Sequence, residues 1–191
     1  MPALSAGNLF KELRKFELTA NLVIVEFVNK VAQSGIVSFD LEDYFPDEKN
    51  IIAFDLKDYL FKGLILREKD FREALTAINW SDYTDKHLAI FCSADAIIPN
   101  WAWMLIVAQA EPFAKTITMG TVNEVIVQLY RNSLAQIDTT QFVDQRVVIK
   151  GCSDKPVPAE AYLEITKILR PLAKSIMYGE PCSTVPVYKK K

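Results

Sequence analysis

"RVVIKGCSDKPVPAEAYLEITKILRPLAKSIMYG", residues 146–179, is the stretch whose reading decides the fold. It opens on an apolar, β-branched run in "RVVIKG" and closes on a second strand-like run, "IMYG". Between them lies "PAEAYLEITKILRPLAKS", which reads as an amphipathic helix, with Pro158 where a first helical residue is expected. Strand, loop, helix and strand in this order describe two parallel strands joined by a right-handed crossover. The same succession precedes it: "HLAIFC" (87–92) as strand, "PNWAWMLIVAQAEPF" (99–113) as helix, "KTITMG" (115–120) as strand and "TVNEVIVQLYRNSLAQ" (121–136) as helix. Apolar strands alternating with amphipathic helices predict an α/β fold with a largely parallel sheet flanked by helices.

Working back toward the N-terminus, "IVSFDLEDYF" (36–45) and "IIAFDLKDYL" (51–60) repeat a Phe-Asp-Leu-x-Asp-Tyr core at an offset of 15 residues. Each begins apolar and β-branched, and "PDEKN" between them is turn-like, so they are read as a strand pair extending the same sheet. The repeat supplies Asp40, Asp43, Asp55 and Asp58, which suit capping and turn closure better than a carboxylate site. "LFKGLILRE" carries a further strand, and "KDFREALTAIN" a helix with Phe71, Ala74, Leu75 and Ile78 on one face. "NLVIVEFVNKVAQSG" reads as a helix closed by Gly35. The chain thus divides into an N-terminal extension of helical character, residues 1–20, and a single α/β domain, residues 21–191.

Half of the 191 residues are hydrophobic, enough to bury a core without disulfides or metal. A net charge of −2, with no basic stripe, argues against nucleic acid and against an anionic membrane as partners. Lys189, Lys190 and Lys191 read as a frayed, solvated tail. No signal-peptide pattern and no membrane-length apolar run is present, so a cytoplasmic location is expected. In that reducing setting, three cysteines are free thiols or metal ligands rather than a disulfide framework. The dinucleotide, P-loop, zincin and hydrolase motifs are all missing.

The chemistry concentrates at the cysteines. Cys92, Cys152 and Cys182 each follow the carboxyl end of an expected strand, the rim at which open parallel sheets bind ligands. Each precedes a serine (Ser93, Ser153, Ser183) able to hydrogen-bond sulfur, and Asp95 and Asp154 stand where they would order the loops. Four readings stay open: small buried residues, a soft-metal or iron-sulfur site, a catalytic thiol, and a relay that forms a disulfide. For catalysis the candidate is Cys152, flanked by Lys150 and Lys155. His87, the only histidine, sits at the far end of the strand that leads to Cys92. No Arg ends a Cys-x5 loop, which disfavours phosphatase-like chemistry. Trp101 and Trp103 cannot share one helix stripe, so one is assigned to the core and the other to the rim or a partner surface.

"VNKVAQSG", "LEDYF", "GLILREKDFRE", "IFCSADAIIPNWAWM", "VVIKGCSDKPVP" and "SIMYGEPCSTVPVYK" together resemble the bacterial family catalogued as domain of unknown function 2480. The resemblance runs from about residue 22 onward and is most specific at the cysteine segments. It implies no activity of its own; its family context implies iron-sulfur assembly proteins as partners. The leading expectation is an accessory protein that handles a soft metal, iron-sulfur cluster or sulfur species through a three-cysteine rim. The alternatives are a small-molecule enzyme with an activated cysteine, and a structural interaction module with buried cysteines.

Overall fold

The structure is a computed structural model that describes residues 35–151 and 154–191. The helix expected before Gly35 and the N-terminal extension lie outside the described residues, as do Cys152 and Ser153. Strands β1 (Ile36–Asp40) and β2 (Ile51–Asp55) come first, followed by the two-residue strands β3 (Leu60–Phe61) and β4 (Ile65–Leu66), which form a small antiparallel hairpin. Helix α1 (Glu68–Ala77), strand β5 (His87–Phe91), helix α2 (Asn100–Ala110), strand β6 (Thr116–Met119) and helix α3 (Val122–Leu134) follow. The chain continues through β7 (Arg146–Lys150), α4 (Ala159–Leu169), β8 (Ser175–Glu180) and β9 (Ser183–Lys189).

The fold is α/β with largely parallel sheets flanked by helices. One sheet has the order β1-β7-β8-β9 and the other β2-β5-β6, all parallel except β9. β1 and β2 do not pair with each other, in contrast to the strand pair expected; each extends a different sheet. The ten residues between them hold two 3-10 turns, and each strand carries its phenylalanine into a separate core. Phe39 joins one apolar cluster and Phe54 the other.

Behind this division lies an internal duplication. From residue 68 onward the chain repeats without gaps at an offset of 59, so that "HLAIF" overlies "RVVIK" and "KTITMG" overlies "KSIMYG". Unit one comprises β2, α1, β5, α2 and β6; unit two comprises β1, α3, β7, α4 and β8. Strand registers coincide: Ile51 faces His87 as Ile36 faces Arg146. Ring packing coincides as well, with Phe39 stacked on Tyr44 at 5.1 Å and Phe54 on Tyr59 at 5.2 Å. Asp85 and Asp144 both adopt positive φ, and their N–H groups donate to the Phe113 and Leu172 carbonyls.

The two units meet through α3. Leu88 and Ile90 of β5 pack with Phe71, Leu75, Ala102 and Ile106 of α1 and α2. Ala89, pointing to the opposite face of the same strand, belongs with Val125 and Ile126 of α3 in the core of unit two. A strand buried on both faces is why "HLAIF" reads as a continuous apolar run. Thr121 starts α3 with a capping box, accepting from Glu124 N–H while the Glu124 carboxylate accepts from Thr121 N–H. Among the described residues no helix is long and apolar enough to cross a membrane.

The tail departs from the frayed end expected. β9 pairs antiparallel with β8, the Lys190 N–H donates to the Lys174 carbonyl at 2.9 Å, and Lys190 Nζ donates to Asp144 at 2.9 Å. Ladder pairing satisfies the β8 edge and fixes the segment that a run of lysines alone would leave solvated.

Candidate functional site at the carboxyl rim

Each unit builds its rim in the same way. The aspartate that ends β1 or β2 caps the following 3-10 turn: Asp40 accepts from Glu42 N–H at 3.0 Å and Asp55 from Lys57 N–H at 3.0 Å. The same carboxylates then reach across to the loop after the central strand. In unit one Asp55 accepts from the Ser93 N–H at 3.0 Å and from Ser93 Oγ at 2.5 Å. In unit two Asp40 receives Lys150 Nζ at 2.7 Å. Burial pushes both carboxyls up. The Lys150 hydrogen bond at Asp40 and the Ser93 hydrogen bond at Asp55, joined by backbone N–H donors, outweigh it and hold each carboxyl below its ordinary value.

Glu42 completes the tie in unit two. Its carboxylate accepts from Asp154 N–H at 3.2 Å, and its carbonyl from Lys155 Nζ at 2.8 Å. Lys150 and Lys155, the cations expected to activate Cys152, are therefore committed to Asp40 and Glu42. Gly151 must be a glycine: its φ is +149°, and a Cβ there would lie 2.9 Å from Leu41 Cβ and 3.1 Å from Tyr162 Oη.

Two grooves of matching size open above these loops. One, of about 610 Å³, is lined by Cys92, Ser93, Ile98, Trp103, Met119 and Glu124. The other, of about 600 Å³, is lined by Gly151, Lys155, Val157, Tyr162 and Tyr178. Their walls correspond under the repeat: Trp103 with Tyr162, Met119 with Tyr178, Ile98 with Val157, Cys92 with Gly151. A third groove of about 700 Å³ joins them, running from Met119 and Glu124 along α3 to Pro156 and Glu160.

Cys92 is half-buried and its thiol donates to the Ala94 carbonyl at 3.6 Å. Cys182 is exposed in the turn between β8 and β9. Cys152 follows β7 by two residues and Cys182 follows β8 by two; β7 and β8 are parallel neighbours, whereas β5, which leads to Cys92, belongs to the other sheet. Ser93 binds Asp55 rather than a sulfur, because the carboxylate offers a charged acceptor at hydrogen-bond distance. Ser183 is exposed at the start of β9. Asp95 and Asp154 are exposed, and Asp154 orders its loop through its backbone N–H. Among the described residues, no three His, Cys, Asp or Glu side chains form a group able to hold a metal ion.

Trp101 packs against Phe71 of α1 with ring centroids 6.3 Å apart, and Trp103 lines the Cys92 groove. His87 lies at the amino end of β5 with Nδ1 2.8 Å from Thr116 Oγ1; burial, with Lys115 nearby, lowers its pKa. The sequence reading missed Met119, Tyr162 and Tyr178. Aligning the chain with itself at the 59-residue offset is the signal that finds them.

The family model described as "Protein of unknown function (DUF2480)" matches residues 25–190. No curated protein and no solved structure matches the chain. Because the match spans both repeats and the whole rim, the chain belongs to this DUF2480 family.

Proposed function

We propose that the chain is a non-catalytic accessory protein that handles a soft metal, an iron-sulfur cluster or a sulfur species through rim thiols, in association with iron-sulfur assembly proteins. The observation that carries this reading is strand order: Cys152 and Cys182 follow neighbouring parallel strands. Neighbouring strands run about 4.8 Å apart. Two thiolates on such loops can approach the separation of about 3.8 Å that a shared soft ion requires. Cys92, on the other sheet, serves as an outlying third thiol. Commitment of Lys150 and Lys155 to Asp40 and Glu42 weakens the activated-nucleophile alternative.

The test is anaerobic purification followed by metal and acid-labile sulfide analysis, with single Cys92→Ser, Cys152→Ser and Cys182→Ser variants in parallel. Stoichiometric metal or sulfide that disappears in Cys152→Ser and Cys182→Ser is the expected result. Equal, substoichiometric amounts in all four proteins would overturn it.

A further inference from the structure

The duplication lets each half of the chain act as a control for the other. In unit two the edge of β8 is covered by β9, antiparallel from Ser175 opposite Lys189 to Glu180 opposite Ser183. In unit one the equivalent strand, β6, pairs with β5 on one side, and no described strand lies on the other. The Gly120 N–H donates to the Ile90 carbonyl. Alternation back along the strand then turns the N–H and C=O groups of Thr118 toward β5 and those of Ile117 and Met119 outward. Edge strands are normally blunted by a charge, a proline or a bulge, and "TITM" contains none of these.

Helix α2 points the same way. Ala102, Ile106 and Ala110 are its buried residues, as Ala161, Ile165 and Leu169 are those of α4. On the remaining faces the two helices differ. Where α4 carries Glu160, Glu164, Thr166 and Lys167, α2 carries Trp101, Leu105, Val107 and Ala108, and no charge occurs from Asn100 to Ala110. Met104 is 70% exposed, Val107 39% and Met119 67%. Trp101 is turned toward α1, whereas Trp103 shares a groove with Met119, so Trp103 and Val107, one helical turn apart, flank the free edge of β6.

We propose that β6 and α2 form the interface of a homodimer. Two copies pair β6 antiparallel about a two-fold axis, making one continuous sheet from two three-stranded ones, and the α2 flanks pack together beside the seam. An isologous contact sets a surface against itself. A charged face would meet its own charge there, and the uncharged face of α2 and β6 does not. Antiparallel addition at this position is the arrangement β9 already makes on β8. In unit two, Val185 of β9 stands opposite Tyr178, the equivalent of Met119. The partner strand covers Met119 in the same manner and so walls one side of the Cys92 groove.

Sedimentation velocity of the full chain over a concentration series tests this. Wild type sediments as a dimer; the Val107→Glu/Met119→Glu double variant and Met119→Pro, which removes an outward-facing N–H, sediment as monomers. Leu163→Glu, at the α4 position equivalent to Met104, remains dimeric. Far-UV circular dichroism verifies folding, and should one disrupting variant unfold, the other decides. A wild type that is monomeric throughout the series, or a dimer that survives in the folded disrupting variants, overturns the proposal.

Discussion

Asp55 shows how a single residue links the repeat strand to the rim. Its carboxylate accepts from Lys57 N–H within its own turn and from Ser93 N–H and Oγ across the loop that carries Cys92. Because the folded pKa is depressed, the stabilisation is present above the unfolded value, near 3.9, and is lost as pH falls through it toward the folded value. Asp55→Asn should destabilise the protein at neutral pH by about 1–2 kcal/mol through weakened hydrogen bonds. It should also flatten the acid limb of a plot of urea midpoint against pH; an unchanged limb would remove Asp55 from the rim tie. The capping role of Asp40 and Asp55 was legible in "FDLxDY", since an Asp ending a strand before a turn has a local, backbone-directed use. Their second role was not, because Ser93 lies 38 residues from Asp55.

Helix α3 carries the contacts that join the units, and its interior face can be tested by one oxygen atom. Tyr130 is 1% exposed and its hydroxyl donates to the Leu41 carbonyl at 3.1 Å, fixing the turn that follows β1. Unit one has Phe71 at the equivalent place, so the ring fits without the hydroxyl. Tyr130→Phe should therefore keep the fold and lose about 1–2 kcal/mol, the cost of leaving a buried carbonyl without its donor. Urea unfolding measures the loss, and an unaltered midpoint would mean that the hydroxyl has no structural role. Elements of this kind were the most legible part of the chain: helical periodicity located all four described helices. Their ends were overrun where a proline follows, so that α2 stops at Ala110 before Pro112 and α4 at Leu169 before Pro171. β9 escaped because "STVPVYK" has neither clean alternation nor a turn signal of its own; pairing with β8 makes it a strand. The separation of β1 from β2 escaped for a related reason, since two similar segments signal equivalent positions in a duplicated fold as readily as they signal partners.

At the scale of the molecule, the question is whether the two units behave as one. Their sheets share no ladder, and the apolar contact joining them runs from Val125 and Ile126 of α3 to Ile51 and Ala89 of unit one. The chain supplies its own reporters for this coupling. All three tryptophans, Trp80, Trp101 and Trp103, lie in unit one, so their fluorescence follows that unit, while far-UV circular dichroism follows both. If α3 is shared core, the two signals change together in urea, as a two-state transition requires. Ile126→Ala then moves both midpoints by the same amount, with a loss of about 2–4 kcal/mol from the removed methyl groups and the cavity left behind. A fluorescence transition that separates from the dichroism transition in the wild type, or that ignores Ile126→Ala, would show that unit one folds without α3. The internal repeat would then describe two independent bodies, and the groove between Met119 and Pro156 would have no fixed width.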